Sequence, residues 1–262
     1  MKTRSLGSGY ELPFGVVVPP KPGFLRNGGA DLYLEIADYD KHCLYRLNQV
    51  MFIFRALACS GALSGRAIAP TQSTLELGSC TRSGERQLHV PIHRSAIDDR
   101  ALLVLANLLL AARRRLSVTG VRLDLADVPG SISVVRTPSG ETTYPGRFEP
   151  LPFMIDDEEP ETDAITFDVE FVSAPETEGI KALNGSFDQW SRAILKGAYA
   201  LAPFAPGDSH VESYDDDFVV IGNRAERAFH KLRTDSAAID GAINMLAAFH
   251  GRGHTIASVR LA

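Results

Sequence analysis

Two stretches of this chain echo one another, and the echo limits what the chain can fold into more than its composition does. Ser95-Ala96-Ile97-Asp98 is answered by Ser236-Ala237-Ala238-Ile239-Asp240, an apolar helical run follows each, and Val121-Arg122-Leu123 is answered by Val259-Arg260-Leu261. The second copy is four residues shorter between Ile239 and Val259 than the first is between Ile97 and Val121. Four residues are about one helical turn, which a helix can lose without rotating its buried face. A repeated helix-then-strand predicts a chain made of two equivalent halves.

The surrounding segments extend the repeat. Gly15-Val16-Val17-Val18 predicts a short edge strand fenced by Pro13 and by Pro19-Pro20. Leu32-Tyr33-Leu34-Glu35-Ile36 alternates strictly and places Leu32, Leu34 and Ile36 on one face of a strand. Asp40 stands where it would cap a helix reaching Ala58, with Leu44, Leu47, Val50 or Met51, Phe54 and Leu57 at helical spacing and Gly61 and Gly65 to end it. Ser73 to Leu77 and Gln87 to Ile92 predict two strands, the second expected to stop at Val90 because Pro91 has no N–H to give. Ser95 with Asp98 reads as a capping box for a helix to Ala112, and Val118 to Leu125 closes the half as a strand.

Strand, helix, strand, strand, helix, strand is the βαββαβ order of ferredoxin-like units. In the second half Ile165, Phe167, Val169 and Phe171 alternate with Thr166, Asp168 and Glu170. Ser186-Phe187-Asp188-Gln189 reads as a capping box opening a helix through Trp190, Ile194 and Leu201, closed by Pro203 and Pro206. Strands are expected at His210 to Tyr214 and Phe218 to Gly222, a helix from Asp235 or Ser236 to His250, and a strand from Thr255 to Leu261. The expected fold is α+β: tandem ferredoxin-like (βαββαβ) repeats with antiparallel sheets and an extra hairpin between the halves. That hairpin is placed at Ser131 to Thr143, turning at Pro138-Ser139-Gly140, and Asp156 to Glu161 reads as a solvated acidic linker. The domains are 1–130, an N-terminal unit with its extension; 131–162, hairpin and linker; and 163–262, the C-terminal unit. First and last strands of such a unit are neighbours, so Glu35 is expected opposite Arg122 and Glu170 opposite Arg260 as cross-strand ion pairs.

Composition narrows the partner. With 45% apolar and 23% charged residues the chain has the makeup of a water-soluble protein. A net charge of -5 argues against nucleic acid and in favour of a basic macromolecular partner. Met1 to Gly9 lacks a signal-peptide core, and no run approaches the eighteen or so apolar residues of a membrane span. Three widely spaced cysteines, Cys43, Cys59 and Cys80, suit reduced and mostly buried thiols in a cytoplasmic protein.

Candidate chemistry is sparse. His89 and His93 share a strand face but do not complete a metal site. His250-Gly251-Arg252-Gly253-His254, with Glu226 and His230 upstream, sits at a helix-to-strand turn whose glycines already serve helix termination. Asp215-Asp216-Asp217 is a run of carboxylates suited to facing water. Gly61-Ala62-Leu63-Ser64-Gly65 has the wrong spacing for a nucleophile elbow and follows a helix. The H-x-T/S motif of two-histidine phosphoesterases is missing at His89, His210 and His254 alike. No catalytic, cofactor-binding or metal-binding residue is therefore assigned, and no cofactor is expected.

Gly251-Arg252-Gly253 between the last helix and last strand, with Tyr39, Lys41, His42 and Tyr45 around the start of the first helix, resembles CRISPR repeat-RNA processing proteins of the RAMP class. Those are tandem ferredoxin-like folds with a glycine-rich loop at that place. The resemblance implies an RNA-processing endoribonuclease in which His42, with Lys41, assists transfer of a ribose 2′-hydroxyl onto phosphate. The loop has two glycines where that class has several. The leading expectation is a non-catalytic cytoplasmic binding or assembly protein, of the inhibitor or immunity type, acting through a protein partner or self-association. Its alternative is an enzyme or small-ligand binder with a pocket between the halves where Tyr33, His42, His89 or His230 converge.

Overall fold

Alternation along the first long strand decides which side of the first sheet is buried. In the computed structural model, which describes residues 15–18, 23–125, 132–134, 144–157, 164–200, 217–230, 234 and 236–262, Leu32, Leu34 and Ile36 lie in the core while Glu35 is exposed. The elements of this half are β1 (Gly15–Val18), β2 (Arg26–Ile36), α1 (Cys43–Ser60), β3 (Thr74–Leu77), β4 (Thr81–Arg82), β5 (Gln87–Ala96), α2 (Ala101–Leu116), β6 (Val118–Leu125) and β7 (Ile132–Val134). They form a sheet ordered β3-β5-β2-β6-β1-β7, with β4 also on β5. All pairings are antiparallel except β1 with β6.

Local chemistry sets the helix ends. Asp40 Oδ1 accepts the His42 backbone N–H at 2.6 Å, and α1 starts at Cys43. That bond, and then the one from Arg46, hold the Asp40 carboxyl below its ordinary value. The far end stops at Gly61, whose φ of 96° is the left-handed conformation that glycine adopts freely. At α2 the expected cap is displaced: Ser95 belongs to β5, its hydroxyl donating to Gly28 O at 3.2 Å. Asp98 Oδ1 instead accepts the Arg100 N–H at 2.9 Å just before the helix. β5 also runs straight through Pro91. The carbonyl of Pro91 accepts from Gly78 N, so its nitrogen faces the same side, where the strand's pairing passes from Leu77 to Thr81 and needs no donor. β1 is not at an edge, because β7 covers it.

The second half comprises β8 (Met154–Asp157), β9 (Ala164–Phe171), α3 (Thr177–Leu195), β10 (Val219–Ile221), β11 (Arg224–His230), α4 (Ala237–Gly251) and β12 (Ile256–Leu261). Its sheet is ordered β10-β11-β9-β12-β8. β8 runs parallel to β12 just as β1 runs parallel to β6. Three expectations change here. Asp156 and Asp157 are strand residues of β8 rather than linker. α3 begins at Thr177, leaving Ser186 mid-helix with its hydroxyl donating back to Ala182 O at 3.0 Å. The hairpin that pairs with β9 is β10–β11, turning at Gly222, so Arg224–His230 is a strand that the sequence reading lacked. The expected strand at 210–214, the turn at 138–140 and the acids at 158–161 lie outside the described residues.

The helices of the two halves pack on each other: α1 against α3 and α4, and α4 against the short 3-10 turn Pro70–Gln72. Each sheet therefore turns one face to helices and the other outward. Absence of side chains permits the closest approaches. A Cβ on Gly61 would stand 2.8 Å from Ala248 Cβ, and one on Gly251 would overlap Thr71. Buried amides fill the polar gaps between halves. Asn244 accepts from Phe148 N at 2.8 Å and donates to Ser64 O at 3.3 Å and Gly146 O at 3.1 Å. Asn107 donates to the Tyr144 hydroxyl at 2.6 Å, which in turn donates to Ala200 O. Trp190 Nε1 donates to Ala238 O at 2.8 Å, fastening α3 to α4.

Asn244→Leu keeps the volume and removes the three hydrogen bonds, so it is expected to lower the unfolding free energy by about 2–4 kcal/mol. Urea denaturation followed by tryptophan fluorescence reads the change. An unaltered midpoint would mean that the amide does not hold the halves.

Candidate functional site

Three surfaces carry side chains capable of recognition, and the outer face of the first sheet is one. His89 on β5 stacks on Tyr33 of β2 with centroids 4.8 Å apart and 20° between planes, and Arg122 of β6 lies over the same ring at 4.6 Å. His89 Nε2 sits 2.6 Å from Asp31 Oδ1 and donates to it, while Arg122 Nε donates to Asp124 Oδ2 at 3.0 Å. Arg122 is thus opposite Tyr33, and Glu35 is opposite Gly120 and takes a bond from Gln87 at 2.6 Å. The expected Glu35–Arg122 pair does not form, because the true register puts the arginine one pleat nearer the strand start.

The same shift recurs in the second sheet. Arg260 lies opposite Asp168, bonding its Oδ2 at 2.9 Å, and Glu170 receives Ser258 Oγ at 3.1 Å. Asp168 is bracketed from the other side by Arg224, whose Nε donates to Oδ1 at 3.2 Å and whose Nη2 donates to Oδ2. This places a 7% exposed carboxylate under two half-exposed guanidiniums, and the bond from Asp168 raises the Arg224 pKa. Beside it is a depression of about 620 Å³ lined by Arg224, Glu226, His230, Val219 and Ile221. Its charges are of both signs, and Asp217, the last member of the expected acidic run, also borders it.

The remaining described histidines are dispersed. His254 stacks on Phe249 at 4.1 Å and 10° and occupies the space over Gly179. His250 Nδ1 accepts the Ile256 N–H at 3.1 Å. Both serve the α4–β12 corner, while Glu226 and His230 sit on β11. His93 is exposed on the outer side of β5. Of Tyr33, His42, His89 and His230, only Tyr33 and His89 meet. The features shared with the RAMP class also stand apart. Arg252 of the glycine loop donates to Cys59 O at 2.6 Å near the end of α1, whereas His42 precedes its start, about 25 Å away along the helix. Among the described residues no group of three or more His, Cys, Asp and Glu could hold a metal ion. No helix among them is long and apolar enough to cross a membrane.

The third surface lies where the halves join. The side of α1 turned away from its sheet carries Tyr45, Asn48, Gln49 and Phe52, with Tyr45 64% and Phe52 60% exposed. Gln49 Nε2 donates to the Tyr45 hydroxyl at 2.8 Å and fixes that ring. Facing them from α3 are Gln189, Arg192 and Lys196, and Leu77 and Cys80 form the end wall of a groove of about 560 Å³. The helical period of α1 shows its buried side in the sequence, but nothing in one strand of text reveals that α3 would stand beside its other side. Two aromatics seven residues apart on that side were the available signal.

Comparison of the chain with protein-family models, with curated proteins and with solved structures finds no match.

The cysteines are free: Cys43 is buried, Cys80 partly so, and Cys59 is exposed, unlike the buried thiol expected there. Burial pushes the Cys80 thiol up to about 11. At pH 8 iodoacetamide is expected to modify Cys59 and spare Cys80, with Cys80 reacting only as pH approaches 11. Peptide mass mapping reads this, and equal alkylation of the two at pH 8 would show that the groove wall is open to solvent.

Proposed function

We propose that this chain is a non-catalytic cytoplasmic binding protein made of two ferredoxin-like units joined through their helices, and that it engages a protein partner through the α1–α3 groove. The strand orders support the two units. In each sheet the strands of a βαββαβ unit appear as second, third, first, fourth, and one added strand lies parallel to the fourth. Free thiols agree with a reducing compartment.

The observation that carries the binding reading is the exposure of Tyr45 and Phe52, two turns apart on one helix face, in a groove that both halves build. Large aromatics cost water-exposed apolar area when left uncovered, and at interfaces they supply the buried anchors. The outer faces offer less, because their charged groups are already tied to one another: Asp31 to His89, Asp124 to Arg122, and Asp168 to Arg224 and Arg260. A basic partner, expected from the net charge, finds no carboxylate among the described residues of the groove lining.

A photo-crosslinking amino acid at position 52, expressed in the native host, is expected to trap one discrete adduct. The same group at Glu85, an exposed loop residue outside the groove, is expected to trap none, and Tyr45→Ala should reduce the position-52 adduct several-fold. Identical adduct patterns at both positions would remove the groove from the function.

A further inference from the structure

We infer that the occupant of the α1–α3 groove is a protein segment that sets a carboxylate beside an aromatic or aliphatic anchor, an acidic amphipathic peptide. This rests on the binding reading given above and adds the chemistry of the partner.

Charge comes first. The chain has a net charge of -5, yet among the described residues the groove is lined by two cations, Arg192 and Lys196, and by no Asp or Glu. Arg192 lies in the last turn of α3 and Lys196 caps its end, with the Lys196 N–H donating to Arg192 O at 3.1 Å, so the two cations are one turn apart, about 6 Å along the helix. Elsewhere on this protein arginines are matched by acids from neighbouring strands, as at Asp168. Here, where no described residue supplies the matching acid, an occupant's carboxylate would supply it, and partial burial under the occupant would strengthen the attraction relative to water.

Apolar content and hydrogen bonding point to a peptide. Tyr45 and Phe52 are two turns apart on α1 and share the lining with Met51 and Ile53, a spacing that receives side chains at successive turns of a bound segment. The Gln189 side-chain oxygen has no hydrogen-bond partner among the described residues, so turning that amide toward a backbone N–H of an occupant breaks no bond made by its oxygen. A second copy of the chain presenting this same groove would set Arg192 and Lys196 against a lining equally free of carboxylates, which two-fold self-pairing disfavours.

Panning a random twelve-residue phage-displayed library against the full chain tests the inference. Enriched peptides are expected to combine Asp or Glu with Phe, Tyr, Leu or Ile. Their synthetic forms should bind about tenfold more weakly to the Arg192→Glu, Lys196→Glu variant and regain affinity when their acids are exchanged for Lys. Enrichment of basic peptides, no enrichment, or affinity indifferent to the charge reversal would overturn it. So would a concentration-dependent dimer in light scattering that Phe52→Asp dissolves, which would assign the groove to a second copy. Circular dichroism of the charge-reversed variant, both substitutions being exposed, verifies that it folds. If peptides fail while the position-52 crosslink persists, the binding reading stands and only the occupant's chemistry falls.

Discussion

The joint between the two halves at the end of α1 depends on how closely α4 can approach it. Gly61 makes that approach possible, since it supplies both the left-handed turn that ends α1 and the missing Cβ that lets Ala248 come up against the backbone. Close packing of backbone on backbone leaves little room for water, so the polar groups of the loop after α1 need protein partners. Asn244 provides them, one amide serving Ser64, Gly146 and Phe148. The junction is consequently both apolar and specific: the alanines and glycines set the distance, and the amide fixes the register.

That junction has a consequence for the sheets. Helices from both halves occupy the interior, and the buried apolar residues of the two halves merge into one cluster that includes Leu34, Phe54, Phe167 and Trp190. Outer sheet faces are left to solvent, where strands satisfy their charges by cross-strand ladders instead of by burial. Tyr33 between His89 and Arg122, and Asp168 between Glu226 and Arg260, occupy corresponding places in the two sheets, each at the centre of a three-strand row, and Arg224, opposite Glu170, reaches Asp168 diagonally. The first row is held by ring stacking and the second by charge.

The sequence disclosed the elements whose periodicity was clean and hid those where one residue broke the rule. β2 and β9 alternate in burial and α1 keeps a helical stripe, while β6, β12 and α4 end within a few residues of the expected limits. β11 was concealed by Arg227, which takes an inward position between Ala225 and Phe229. The side chain is only 5% exposed, its guanidinium bonded to Asp188 at 2.8 Å and lying over the Phe229 ring at 5.0 Å, so an ion pair and a cation–π contact replace the missing aliphatic residue. α3 was truncated for a similar reason. Ser186-Phe187-Asp188-Gln189 imitates a capping box, but the Ser186 hydroxyl bonds back to Ala182 O, and two residues earlier Asn184 Oδ1 accepts the Phe218 N–H at 2.9 Å from within the helix. The groove was not legible at all, because it depends on two helices that the chain order separates by well over a hundred residues.

A groove formed by the packing of α1 on α3 inherits the rigidity of the junction behind it. Phe54, on the side of α1 opposite Phe52, is buried, and Trp190 next to Gln189 is pinned by its bond to Ala238 O. The residues facing the groove thus sit on helices whose other sides are locked into the shared core. A partner docking there would meet preset positions for Phe52 and for the base of Arg192, and would spend little of its binding free energy on ordering backbone. Only the long side chains of Arg192 and Lys196 remain to be immobilised, at a cost of about 0.5–1.5 kcal/mol each. A single carboxylate reaching both cations offsets that cost more readily than two separate ones, since its own ordering is counted once. The i, i+4 placement of the cations therefore favours recognition of one acid per segment, seated between them, with the aromatic pair on α1 reading what stands beside it.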